Sequence, residues 1–223
     1  MISGIPKVAA SSLSLLLALS PATRSHAAPA EAPVDAATLV ASLRRDVPAR
    51  TAYTEVRFSG LLERPLILHG ELEYLGPGRL AKRVDAPYRE RMRVENGEAS
   101  VQRGERPVRT FPLGQAPELE GFLRGFAALL GGDAATLERD FTMTASGAAH
   151  AWRLVLEPRD ARLARRIREI RVDGTDATPL CFTTREGDGD VGVLLVDRLA
   201  HAKLAVQVSQ PQVDALCRGI DAK

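Results

Sequence analysis

From Thr51 onward the chain alternates. Thr54, Val56 and Phe58 are separated by Glu55 and Arg57, and Leu68, Leu72 and Tyr74 by His69, Glu71 and Glu73. A period of two gives a strand one apolar and one polar face. Glu63-Arg64-Pro65 reads as the turn between these two strands, and Gly76-Pro77-Gly78 ends the second. The rhythm continues through residues 80–84, and then through Tyr88, Met92 and Val94, set among Arg89, Arg91, Arg93 and Glu95. Asn96-Gly97 is a hairpin signal, because both residues accept the positive φ of a tight turn. Residues 108–111 end this first run. The second begins at 141–144 with a turn near Gly147, continues through Trp152, Leu154 and Leu156, and stops at Pro158. A helical turn at 160–164, a strand at 167–172, a turn at Asp173-Gly174 and a strand at 180–184 follow. The turn Gly187-Asp188-Gly189-Asp190 leads to 191–196, and Leu204, Val206 and Val208 read as a last strand. The pattern predicts about ten strands, most with a single apolar face.

Two stretches break the period. Asp35 reads as the cap of a first helix carrying Leu39, Val40, Leu43 and Val47 and ending before Pro48. Residues 118–141 form the longer unit. Leu119, Phe122, Leu123, Phe126, Leu129 and Leu130 recur at three- and four-residue spacing; Gly131 and Gly132 allow a left-handed stop, and Asp133 caps a second short helix at 134–139. By itself such a helix pair is either a packing layer or a lid. Set against so many half-apolar strands, it implies a mainly β (α+β) fold. A strongly curved antiparallel sheet forms an unclosed β-barrel, with helices across its concave side. Aromatic residues are only 4% of the chain, so complete filling of that concavity is not assured. By strand parity the inward residues are Val56, Phe58, Leu72, Tyr74, Met92, Val94, Trp152, Leu154 and Leu156, joined by Phe122 and Phe126 from the helix pair.

Composition adds a compartment. Of 223 residues, 45% are hydrophobic and 26% charged, ordinary for a globular chain. The start departs from that: Lys7, an apolar run at 8–19, and Ser25-His26-Ala27 followed by Ala28 read as a secretory signal peptide over residues 1–27. Residues 28–34 form an Ala-Pro-Glu linker, and 35–223 a single domain exported to the periplasm. Removing 1–27 takes away Lys7 and Arg24 and no acidic residue, which leaves the two signs equal. The arginines are interleaved with acids, so nothing points to nucleic acid. Even the basic stretch at 162–171 is threaded by Ile167 and Ile170 and reads as a solvated strand face. The two cysteines, Cys181 and Cys217, are either joined, as an oxidising compartment favours, or two buried thiols.

Catalytic signatures are thin. The sequence has no Gly-x-Ser-x-Gly elbow, no phosphate-cradling glycine loop and no histidines at metal spacing. His69, His150 and His201 each fall on a strand or turn, and Asp188 and Asp190 read as hairpin residues. No cofactor, metal or enzymatic activity is expected, although a dyad assembled from distant residues is invisible to a sequence.

Certain stretches resemble the LolA-type outer-membrane lipoprotein carriers, in a divergent branch. They are the Phe58 strand with Leu66 and Gly70-Glu71-Leu72, the Leu129-Leu130-Gly131-Gly132-Asp133 break with Leu137 and Phe141, Trp152-Arg153-Leu154 with Leu156 and Pro158, and the 167–174 strand and turn. The resemblance covers residues 39–196. It implies a monomeric carrier with a helical lid over a hydrophobic cavity for acyl chains. Such a carrier is loaded by a transporter in the inner membrane and unloaded at an acceptor on the outer one. One departure matters: the family's Arg-Pro pair after the Gly-x-Leu strand, whose arginine latches the lid, is Gly76-Pro77 here. A related branch carries other acylated molecules, such as a glycolipid or polyene-type lipid. The competing readings are a periplasmic lipid-sensing or regulatory module on the same fold, and a hydrolase or acyltransferase.

Overall fold

The computed structural model describes residues 34–219. The expected signal peptide, and all of the expected linker except Val34, lie outside the described residues. Asp35 accepts from the Thr38 amide and caps α1 (Ala36–Ser42). The chain then runs through β1 (Ala49–Phe58), β2 (Leu66–Gly76), β3 (Arg79–Ala86), β4 (Glu90–Glu95), β5 (Glu98–Arg103) and β6 (Arg109–Pro112) as a meander. Asn96 and Gly97 both take positive φ in the β4–β5 turn, as the hairpin signal requires. Two helices, α2 (Pro117–Gly131) and α3 (Ala134–Asp140), interrupt the strands. A second meander follows: β7 (Phe141–Ala148), β8 (Ala151–Pro158), the short α4 (Ala161–Arg166), β9 (Ile167–Thr175), β10 (Thr178–Glu186) and β11 (Val191–Val196).

β11 returns to pair antiparallel with β1. All eleven strands therefore form one sheet, in the order β6-β5-β4-β3-β2-β1-β11-β10-β9-β8-β7. The edges β6 and β7 are neighbours in sequence yet do not pair, and α2 and α3 carry the chain from one to the other. The barrel stays open on that side. Among the described residues no helix is long and apolar enough to cross a membrane.

Helices cover part of the inner face of the sheet, and the outer face is covered over β1, β10 and β11. Inside, α1, α2 and α3 pack onto β7, β8 and β9 through Leu39, Val40, Leu43, Leu129, Leu137, Phe141, Trp152, Leu154 and Leu156. Outside, the segment after β11 crosses back over β1, β10 and β11, burying Val56, Cys181, Val193, Leu195, Leu199, Val208 and Val213. This outer strap corrects the expected last strand. Because β11 already lies between β1 and β10, it has no free edge for a following strand to join. The chain makes a turn of 3-10 helix at Asp197–Leu199 and ends in α5 (Gln210–Cys217); Val208 is buried while Val206 is 61% exposed. The signal for α5 was the capping box Ser209-x-x-Gln212.

Three smaller expectations also change. The first helix stops at Ser42, since the Arg45 amide donates to the Leu130 carbonyl instead of continuing the helix, and Val47 stands exposed. The turn near Gly147 lies slightly later, at residues 149–150. Asp173-Gly174 is not a turn but the buried part of β9. A Cβ on Gly174 would meet the Trp152 ring at 2.3 Å, so glycine is there to let the indole lie across the strand. Asp173 accepts from Arg153 and Arg171, and Arg171 reaches on to Asp214 of α5. Arg171, expected on a solvated face, is thus 7% exposed and clamps the strap to the sheet.

Candidate functional site

A cavity of about 890 Å³ lies between α2 and the concave face of the sheet. Its roof is the apolar stripe of α2: Leu119, Phe122, Leu123, Phe126 and Leu130. Leu72, Tyr74, Leu80 and Met92 line one wall, and Ile170, Phe182 and Leu194 the other. Phe126 packs on the Phe182 ring at 5.2 Å and beside Phe122 at 6.4 Å, so the roof touches the far wall through aromatic contacts.

Local sequence sets the position of the roof. Gly121 and Gly125 stand one turn apart on α2. A Cβ on Gly125 would come within 2.5 Å of the Phe141 ring, so glycine there lets α2 settle this low, and one on Gly121 would stand a tight 3.3 Å from Leu163. Gly132, at φ +68, ends the helix, and Asp133 caps α3 by accepting from the Thr136 amide. Arg124 of α2 donates to Asp140 at the end of α3 at 2.7 Å, which links the two helices.

The floor is polar. Glu55 and Arg57 of β1 and Lys82 of β3 face the hollow. Lys82 donates to Glu55, while Arg57 lies 3.6 Å from Glu55 and 3.6 Å from Glu186. Lys82 also sits 5.2 Å from the centre of the Tyr53 ring. The Tyr53 hydroxyl is buried with no hydrogen-bond partner among the described residues, and burial, reinforced by the Glu55 charge, pushes its pKa up.

Of the residues expected to face inward, Leu72, Tyr74 and Met92 from the strands and Phe122 and Phe126 from the helix pair line the cavity. Val94 points inward but is sealed beneath α2 with Leu113, Leu123 and Ala127. Trp152, Leu154 and Leu156 belong to the solid core under α1 and α3, which fill that half of the barrel. Val56 and Phe58 face the other way, under the outer strap. The parity of β1 is inverted because an alternation signals one buried face only when the other is wet, and β1 is covered on both sides. Sequence reasoning therefore missed Glu55, Arg57, Lys82, Phe182 and Leu194. The only hint lay in β1 itself, where charged residues occupy one face of a strand at the middle of the sheet.

Cys181 and Cys217 are joined, which ties α5 to β10. No group of three or more metal-ligating side chains converges among the described residues, and Asp188 accepts from the Asp190 amide within its hairpin.

The architecture is an unclosed barrel with a hollow between its sheet and α2. A family model described as outer membrane lipoprotein carrier protein LolA-like matches residues 27–220, and the chain belongs to that family. Solved structures with similar folds include a LolA superfamily protein from Nitrosomonas europaea. It is 9% identical, with a TM-score of 0.42, covering 80% of this chain and 100% of that one. A second is a putative outer membrane lipoprotein-sorting protein domain from Vibrio parahaemolyticus, 10% identical, TM-score 0.40, covering 82% and 98%. A third is the MucA/MucB complex of Pseudomonas aeruginosa, 15% identical, TM-score 0.35, covering 77% of this chain and 58% of that one. No curated protein matches the sequence significantly.

Proposed function

We propose that this protein is a periplasmic carrier that holds the acyl chains of lipoproteins, or of related acylated lipids, beneath α2 and delivers them toward the outer membrane without catalytic chemistry. The observation that carries the reading is the division of the barrel interior. One half is packed solid by α1 and α3, while the other is left hollow under an aromatic-lined helix. A protein that needed only stability would gain by filling that space. Each methylene transferred there contributes about 0.8 kcal/mol, so roughly eight buried methylenes supply about 6 kcal/mol toward binding. The volume lies within the range of small-molecule pockets, of order 300–1,000 Å³.

In this reading α2 is the lid. It carries no arginine latch from residue 76; instead its C-terminal end is held by the Arg45 amide on the Leu130 carbonyl. Loading and unloading by an inner-membrane transporter and an outer-membrane acceptor complete the proposal, with the protein as a monomer after cleavage following Ala27.

The test is gentle purification from the periplasm, followed by mass spectrometry of extracted lipid and titration with a fluorescent fatty acid. Bound acylated species and saturable uptake are expected, with Phe126→Asp weakening uptake at least tenfold, since it places a charge against the tail. Absence of bound lipid together with absence of uptake sinks the proposal.

A further inference from the structure

Building on the carrier reading, we propose that the cargo is an amphiphile whose anionic end, a carboxylate or a phosphate, rests on the sheet floor against Lys82 and Arg57 while its tail runs beneath Phe122 and Phe126. The two sides of the cavity differ in chemistry: hydrocarbon on the α2 side, charge on the β1 and β3 side. Glu55 and Lys82 are already half withdrawn from water, their side chains 12% and 27% exposed. A hydrocarbon tail laid over them would remove the remaining solvent and return no hydrogen bond, an unfavourable exchange for ionised groups. A polar end laid over them replaces the lost water.

The sign follows from the donors. Glu55 is engaged on both oxygens, Oε2 accepting from Lys82 and Oε1 facing Arg57. Lys82 has three N–H donors, of which Glu55 takes one, and its ammonium lies over the Tyr53 ring. Arg57 has five, and its 3.6 Å separations from Glu55 and Glu186 exceed ordinary hydrogen-bond length. The floor therefore has unspent donors on two cations, with Glu55 the deeper and Glu186 the more exposed of the two carboxylates beside them. An acceptor-rich anion set against Lys82 and Arg57 adds charge-assisted bonds.

The test uses the lipid-free full chain and two probes with the same tail, hexadecanoic acid and hexadecanol, titrated at about pH 8 where the acid is ionised. The wild type is expected to bind the acid about tenfold tighter than the alcohol. Lys82→Gln should bring that ratio close to one. Glu55→Gln, which frees Lys82 from its partner, should raise it, a change in the direction that misfolding cannot produce. A wild-type ratio near one, or a ratio that Lys82→Gln leaves intact, overturns the headgroup assignment alone. Inorganic phosphate that displaces the acid as effectively as a second acylated anion marks a free-anion site and also overturns it. If neither probe binds, the carrier reading itself falls and takes this assignment with it.

Discussion

Asp133 is the residue that starts α3, the helix following the break at Gly132. Hydrogen bonds from the Thr136 hydroxyl and amide hold its carboxyl below the ordinary carboxylate range. A folded-state pKa below the unfolded value means that this stabilisation is complete above the ordinary range and is lost as pH falls through the folded value. Asp133→Ala is therefore expected to lower stability by about 1 kcal/mol at neutral pH. The difference from wild type should narrow toward about pH 3, below the ordinary aspartate pKa near 4. Urea denaturation of both proteins at the two pH values checks this; an unchanged gap would refute the cap as its source. Asp35 and Asp160 start α1 and α4 in the same way. The Asp35 and Asp133 caps were legible, since an aspartate before an apolar-periodic run needs only its own neighbours to act, whereas Asp160 read only as the start of a helical turn. Gly174 was not legible, since its reason is an indole that arrives from another strand.

Among the elements, α2 makes its position through what it lacks. Its apolar stripe announced a buried helix, but Gly125 read only as a residue off that stripe. In the structure it is the point where α2 meets the fully buried Phe141 ring. Gly125→Val is expected to push α2 away from β7 and to cost about 1–3 kcal/mol. The same displacement widens the cavity, so fatty-acid uptake should change together with the melting temperature. A variant with wild-type stability and uptake would show that the helix is not seated on this contact. Strand β1 carries the opposite lesson. Its alternation was clear, yet the covered face was misjudged, because periodicity reports how a strand is divided and not which half meets which layer.

At the level of the whole molecule, the disulfide between Cys181 and Cys217 closes a loop over a sequence separation of 36 and holds the strap against the outside of the barrel. The Arg171 bridge to Asp173 and Asp214 lies in the same contact. Replacing both cysteines with serine is expected to lower stability by up to about 4 kcal/mol by the chain-entropy argument, and to expose the 200–217 segment to proteolysis. Limited proteolysis with mass mapping reads this directly; cleavage confined to other regions would mean that the ion pairs and apolar contacts suffice. The strap lies on the face away from the cavity, so the same variant should retain fatty-acid binding while it remains folded.

By itself the sequence determined the rhythm of the strands as far as residue 196, the helix pair with its break and the resemblance to lipoprotein carriers. These are local periods, turn chemistry and composition, which neighbouring residues settle among themselves. Only the tertiary structure decided that β11 closes onto β1, that the chain end becomes a strap because no sheet edge was free to receive it, and that the hollow occupies half of the barrel over a charged floor. Those features depend on which surfaces meet across long sequence separations. A side chain such as Glu55 faces a cavity or the solvent according to what the rest of the chain has already covered.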